Sequence, residues 1–111
     1  MDLFPSYLNI INMINLTHYQ KQVREYDKKY KWDKDRASHI VLHMTEELGE
    51  IARRILREEG YKKERFNKEE LAEELIDLLY LNLKLANKFD IDMNKEWDSM
   101  WERYEKKTSR K

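Results

Sequence analysis

The sequence predicts an all-α protein, a single domain built as a bundle of four main helices. Three observations carry that prediction. Only two glycines and one proline interrupt 111 residues. Charged residues make up 40% of the chain, against about 25% in an average domain. The apolar residues recur at helical rather than strand spacing. A chain of this length buries about two thirds of the surface that it exposes when unfolded, which is enough for one core.

The elements follow in order. A short apolar segment, residues 1–16, is broken by Pro5, Ser6, Asn9, Asn12 and Asn15. It has no basic leader or small-residue cleavage site and is too short to span a bilayer. Thr17, followed three residues later by Gln20, has the form of a capping box and opens a first helix through about Tyr30. Residues 31–34 turn the chain. A second, long helix is expected from near Asp35 to Glu59, where Gly60 supplies a left-handed stop. After a polar loop at 61–66, Asn67 with Glu70 caps a third helix that runs to about Phe89. Asp90-Ile91-Asp92 marks a break, and Asp92 caps a last helix through about Glu105. The basic residues 106–111 have no apolar partner and are expected to fray.

Composition excludes several function classes. Lys+Arg and Asp+Glu are equal at 22 each, so the chain lacks the basic excess that a nucleic-acid polymer would require, although a single nucleotide is not excluded. Without cysteine there is neither a disulfide framework nor a zinc ribbon. A cytoplasmic protein with no membrane partner is expected.

Two acidic clusters stand out from the solvated charge: Glu46-Glu47-Leu48-Gly49-Glu50 and Glu73-Glu74-Leu75-Ile76-Asp77. Residues three and four apart share a helix face, so Glu47 with Glu50, and Glu74 with Asp77, each present two carboxylates side by side. Glu47 falls on the line Ile40, Met44, Ile51, Ile55, and Glu74 lies one step before Leu78, Leu81, Leu85. Acids thus occupy core positions. If the two helices pack antiparallel, the four carboxylates can converge within about 5 Å, each pair then repelling by roughly 3 kcal/mol at an effective dielectric near 20. Protons or a cation must neutralise them, and an all-oxygen donor set suits Mg²⁺ or Mn²⁺. Gly49, inside a helix, costs about 1 kcal/mol relative to alanine, so close approach of another helix or of a phosphate oxygen is expected there.

The paired clusters resemble the signature of the MazG-like all-α nucleoside triphosphate pyrophosphohydrolases. The longer contexts HMTEELGEIARRI and ELAEELIDLLYLNLKLANKFDID are also similar to that family. The resemblance implies Mg²⁺ held by Glu47, Glu50, Glu74 and Asp77. It implies hydrolysis of a nucleotide between its α- and β-phosphates to monophosphate and pyrophosphate, with Glu46 or Glu50 taking the water's proton. It also implies a role in cleansing a nucleotide pool. Many family members carry a lysine and an asparagine on the last helix, but this chain reads Asp98-Ser99-Met100-Trp101-Glu102-Arg103-Tyr104. Arg103, Lys84 or Lys106 is then left to supply positive charge.

For the base, Trp32, Trp97 and Trp101 could stack, while His39 and His43 could bond its edge. Trp97 and Trp101, one turn apart, fit core packing; His43 lies one turn before Glu47 on the same face. A bundle of this size with several exposed aromatics gains core by pairing with further copies, so a homodimer or homotetramer is expected. Two alternatives stand beside the triphosphate reading. One is hydrolysis of phosphoribosyl-ATP; the other is a non-catalytic helical module that only binds metal or a partner.

Overall fold

The computed structural model describes residues 15–109. The apolar segment at 1–14 and the end of the basic tail, 110–111, therefore lie outside the described residues. Four helices follow in order: α1 Leu16–Lys29, α2 Ala37–Glu58, α3 Lys68–Lys88 and α4 Met93–Ser109, with a 3-10 turn Trp32–Lys34 between α1 and α2. There is no strand among the described residues, and none of their helices is long and apolar enough to cross a membrane. The expected all-α bundle is what the chain forms.

Local chemistry sets the ends of these helices. Asn15, not Thr17, caps α1, its side chain accepting from the His18 backbone N–H at 3.1 Å. The expected box fails because Gln20 is turned inward. Its Nε2 donates to Asn87 Oδ1 at 3.0 Å and to the Ile91 carbonyl at 2.8 Å, and its Oε1 accepts from the Met93 N–H at 2.9 Å. Gln20 therefore ties the start of α4 to α1 and α3. α2 starts at Ala37, two residues after Asp35, whose carboxylate is taken by Lys84 at 2.7 Å.

Gly60 ends α2 as expected, at φ +84. Its N–H donates to the Arg57 carbonyl at 3.1 Å and that of Tyr61 to the Leu56 carbonyl at 2.8 Å, the paired bonds of a Schellman motif. Asn67 accepts from the N–H groups of Glu69 and Glu70 at 2.9 and 3.2 Å. Asp92 accepts from the Lys95 N–H at 3.1 Å. α4 continues to Ser109, so residues 106–109 of the expected frayed tail are helical.

α2 and α3 form an antiparallel hairpin, the most extensive helix pair; α1 packs across α3 and the 3-10 turn, and α4 leans on α1. The buried apolar residues are Val23, Ile40, Leu81, Leu83 and Ala86. This small core lies where α1 crosses the open end of the hairpin. Toward the loop joining α2 to α3, polar groups take over the interface.

Two expectations about packing are corrected here. Trp97 and Trp101 are not core residues: each is 51% exposed, and they stack edge to face on each other along α4. Ile55 lies 37% exposed, off the line that buries Ile40.

Candidate metal centre

The α2 positions turned toward α3 include Ile40, Met44, Glu47, Ile51 and Arg54, while α3 presents Glu70, Leu71, Glu74, Leu78 and Leu81. The helical repeat that builds an apolar seam thus carries acids into its middle. Glu47, Glu74 and Asp77 each offer a carboxylate oxygen, and these oxygens all lie within 4.8 Å of one another. Glu47 and Glu74 are each 17% exposed at the side chain, and Asp77 opens the group to solvent.

The fourth expected acid does not join them. Glu50 is half-buried one turn further along α2, and its Oε1 lies 3.6 Å from Arg53 Nη1. Glu46 is exposed, as a helix rotation of about 100° from Glu47 requires.

Of the three acids, Glu47 feels the other two. The Glu47 carboxyl is pushed above the usual carboxylate range, first by hydrogen bonding with Glu74, then by burial, then by the charges of Glu74 and Asp77; His43 pulls the other way. His43 Nε2 stands 3.4 Å from Glu47 Oε1, whereas Glu47 Oε2 is sealed from solvent with no donor among the described residues. A buried acceptor facing further acceptors is satisfied either by a proton shared with Glu74 or by a cation. The residues present therefore fit a hard divalent ion bound by oxygen.

A cleft of about 310 Å³ opens beside this group, lined by Trp32, Asp35, His43, Tyr80, Leu81 and Lys84. His43, beside Glu47 at 3.4 Å, also lines the cleft, which puts the cleft next to the acids. Trp32 packs against Tyr26 and Tyr30 at 5.6 and 5.3 Å between ring centroids. Lys84 Nζ lies 6.0 Å from the Trp32 ring centroid. Lys84 itself is 7% exposed and held by Asp35, so it is a fixed cation rather than a solvated one. Tyr80 donates its hydroxyl to the buried Asp27; burial, followed by that bond, raises the phenol pKa and keeps it protonated. Of the expected nucleotide contacts, Trp32, His43 and Lys84 meet here. Arg103 does not: it is exposed on α4, which packs on α1.

Two features depart from the sequence reading. Gly49 faces open space, with nothing among the described residues within 4 Å of where a Cβ would stand, so close helix packing does not explain it. Arg54 was not singled out, yet it reaches the cluster. Its Nη1 pairs with Glu70, its Nη2 lies 3.5 Å from Glu74 Oε1, and its side chain is 17% exposed. The available signal was its position seven residues after Glu47, two turns along the same face.

Comparison with known proteins adds one match. A family model described as phosphoribosyl-ATP pyrophosphohydrolase covers residues 16–104. No curated protein and no solved structure matches the chain.

Proposed function

The chain belongs to the phosphoribosyl-ATP pyrophosphohydrolase family, within the MazG-like all-α superfamily, and from that premise we propose a Mg²⁺-dependent hydrolase that cuts a nucleoside triphosphate between its α- and β-phosphates. The family is dependent on a divalent metal and acts on phosphoanhydrides of nucleotides; the choice of Mg²⁺, of the substrate and of the bond is our reading. One observation carries it: three convergent carboxylates adjoin a cleft that offers an aromatic face and a fixed cation.

Glu47, Glu74 and Asp77 would hold the ion, and Mn²⁺ would fit the same donors. When bound, a divalent cation supplies charge shielding along the phosphate chain and stabilises the pyrophosphate that leaves. Trp32 offers its ring to the base. Lys84, already desolvated, draws the phosphate chain into the cleft in competition with Asp35. His43 bridges base and metal subsites. Glu50, half-buried one turn from Glu47, would take the water's proton, with the exposed Glu46 as the alternative. Products are nucleoside monophosphate and pyrophosphate, consistent with cleansing of a cytoplasmic nucleotide pool.

The description of the matched family favours a second reading, in which the same anhydride is cut in phosphoribosyl-ATP. Incubating the Mg²⁺-loaded protein with each common nucleoside triphosphate and with phosphoribosyl-ATP, and measuring pyrophosphate, decides between them. Release from none of these substrates would leave a non-catalytic metal-binding module.

A homo-oligomer belongs to the same proposal. The hairpin leaves Leu42 62%, Leu48 58% and Ile76 59% exposed. A groove of about 450 Å³ lined by Tyr19, Val23, Ile76, Leu79 and Leu83 runs between α1 and α3. Apolar surface on both sides of so thin a hairpin is what a second copy of this chain would cover.

A further inference from the structure

Arg54 is an unexpected residue for its place. It lies on the buried seam of a helix hairpin, where an aliphatic side chain would pack without desolvating a charge. Its Nε is sealed from solvent and has no acceptor among the described residues, an arrangement that opposes stability. The guanidinium nevertheless spans two acids one turn apart on α3. Nη1 is hydrogen-bonded to Glu70, and Nη2 forms an ion pair with Glu74 Oε1 at 3.5 Å.

Glu70 is the residue expected to close the capping box of α3. It is bonded to Arg54 instead, while Asn67 alone accepts from the α3 N-terminus. Arg54 is therefore aligned from the loop side, and Glu74 is approached from that side by a cation and from the other by Glu47 and Asp77.

We infer that Arg54 is a positioning residue of the metal centre: it engages one oxygen of Glu74, leaves the other for the ion, and so favours a small octahedral cation over a larger one. The inference rests on the metal-centre reading above. Mg²⁺ takes six ligands in near-ideal octahedral geometry, whereas Ca²⁺ accepts six to eight and readily uses both oxygens of one carboxylate. A guanidinium paired with one oxygen of Glu74 opposes chelation of an ion by both oxygens of that carboxylate. Its removal lifts that opposition.

The test is a pair of calorimetric titrations of the whole protein, with Mg²⁺ and with Ca²⁺, in wild type, Arg54→Gln and Arg54→Lys. Loss of Arg54 should raise the ratio of Ca²⁺ to Mg²⁺ affinity by about tenfold or more, because only the larger ion gains from a bidentate Glu74. Lysine, with a single ammonium that cannot span Glu70 and Glu74, should move the ratio in the same direction by less. If Arg54→Gln does not fold, Arg54→Lys and Glu70→Gln, which loosens the clamp without removing the guanidinium, carry the same comparison. An equal change in both affinities would mark a merely structural role and overturn the inference, as would an unchanged ratio. A wild-type protein that binds neither ion would instead overturn the metal-centre reading itself, and this inference with it.

Discussion

At Glu47, sequence position and electrostatics give a pH dependence with a definite sign. Its carboxyl is raised above the ordinary value of 4.5, chiefly through hydrogen bonding with Glu74. The folded state therefore holds a proton that the unfolded chain has released. This contribution to stability is complete below pH 4.5 and is lost as pH rises through the raised value. In metal-free buffer, the wild type should lose thermal stability relative to Glu47→Gln as pH rises through that window. Mg²⁺ should remove the loss by taking the proton's place. Melting curves with and without chelator measure it, and parallel pH profiles for the two proteins would contradict the shared-proton account.

Glu50→Gln should lower turnover by about 10²–10⁴-fold while metal binding persists, and Glu46→Gln should stay near wild type. Steady-state rates alongside metal titrations separate the two, and the reverse pattern would transfer the role to Glu46. Glu47 and Glu74 were legible in the sequence because each occupies an apolar seam position, where a carboxylate needs a reason, and Asp77 because it stands three residues from Glu74 on the same helix face. Spacing and the family resemblance both point to Glu50 as a fourth member, but neither foresees its pairing with Arg53 at 3.6 Å. Arg54 escaped because arginines on charged helices are ordinarily solvated, and its burial depends on Glu70 from another helix.

Among the elements, the two glycines make opposite predictions. Gly60 sits at φ +84, where a side chain is strained, and Gly49 lies in mid-helix with open space at its Cβ. Gly60→Ala should destabilise by about 1 kcal/mol, and Gly49→Ala should stabilise by about 0.5–1 kcal/mol. Chemical denaturation of both variants checks this. Destabilisation by Gly49→Ala would place a neighbouring copy or ligand against that position. All four helices were legible from period and punctuation, since Gly60, Asn67 and Asp92 act locally. The α1 cap was misread because the competing demand on Gln20 comes from Asn87, Ile91 and Met93, more than sixty residues away. No local pattern records such a demand.

For the whole molecule, the distribution of apolar surface decides most. Trp97 and Trp101 have the spacing of a core stripe, yet among the described residues α4 packs chiefly on α1. Helical period identifies a face to be covered and not what covers it. Ile76→Glu, in the middle of the exposed α3 face, should shift the protein toward monomer in light scattering while retaining its helical circular dichroism. An unchanged mass would locate the contact between copies elsewhere.

Three carboxylates and the breaking of one bond are joined through the fate of a single oxygen atom. A water delivered to the α-phosphorus leaves its oxygen on the nucleoside monophosphate. Hydrolysis of the substrate in ¹⁸O-water with Mg²⁺, analysed by mass spectrometry, tests this directly. We expect label in the monophosphate and none in pyrophosphate, with no turnover in the Glu47→Gln/Asp77→Asn variant. Label in pyrophosphate, or diphosphate with orthophosphate as the primary products, would contradict the claim.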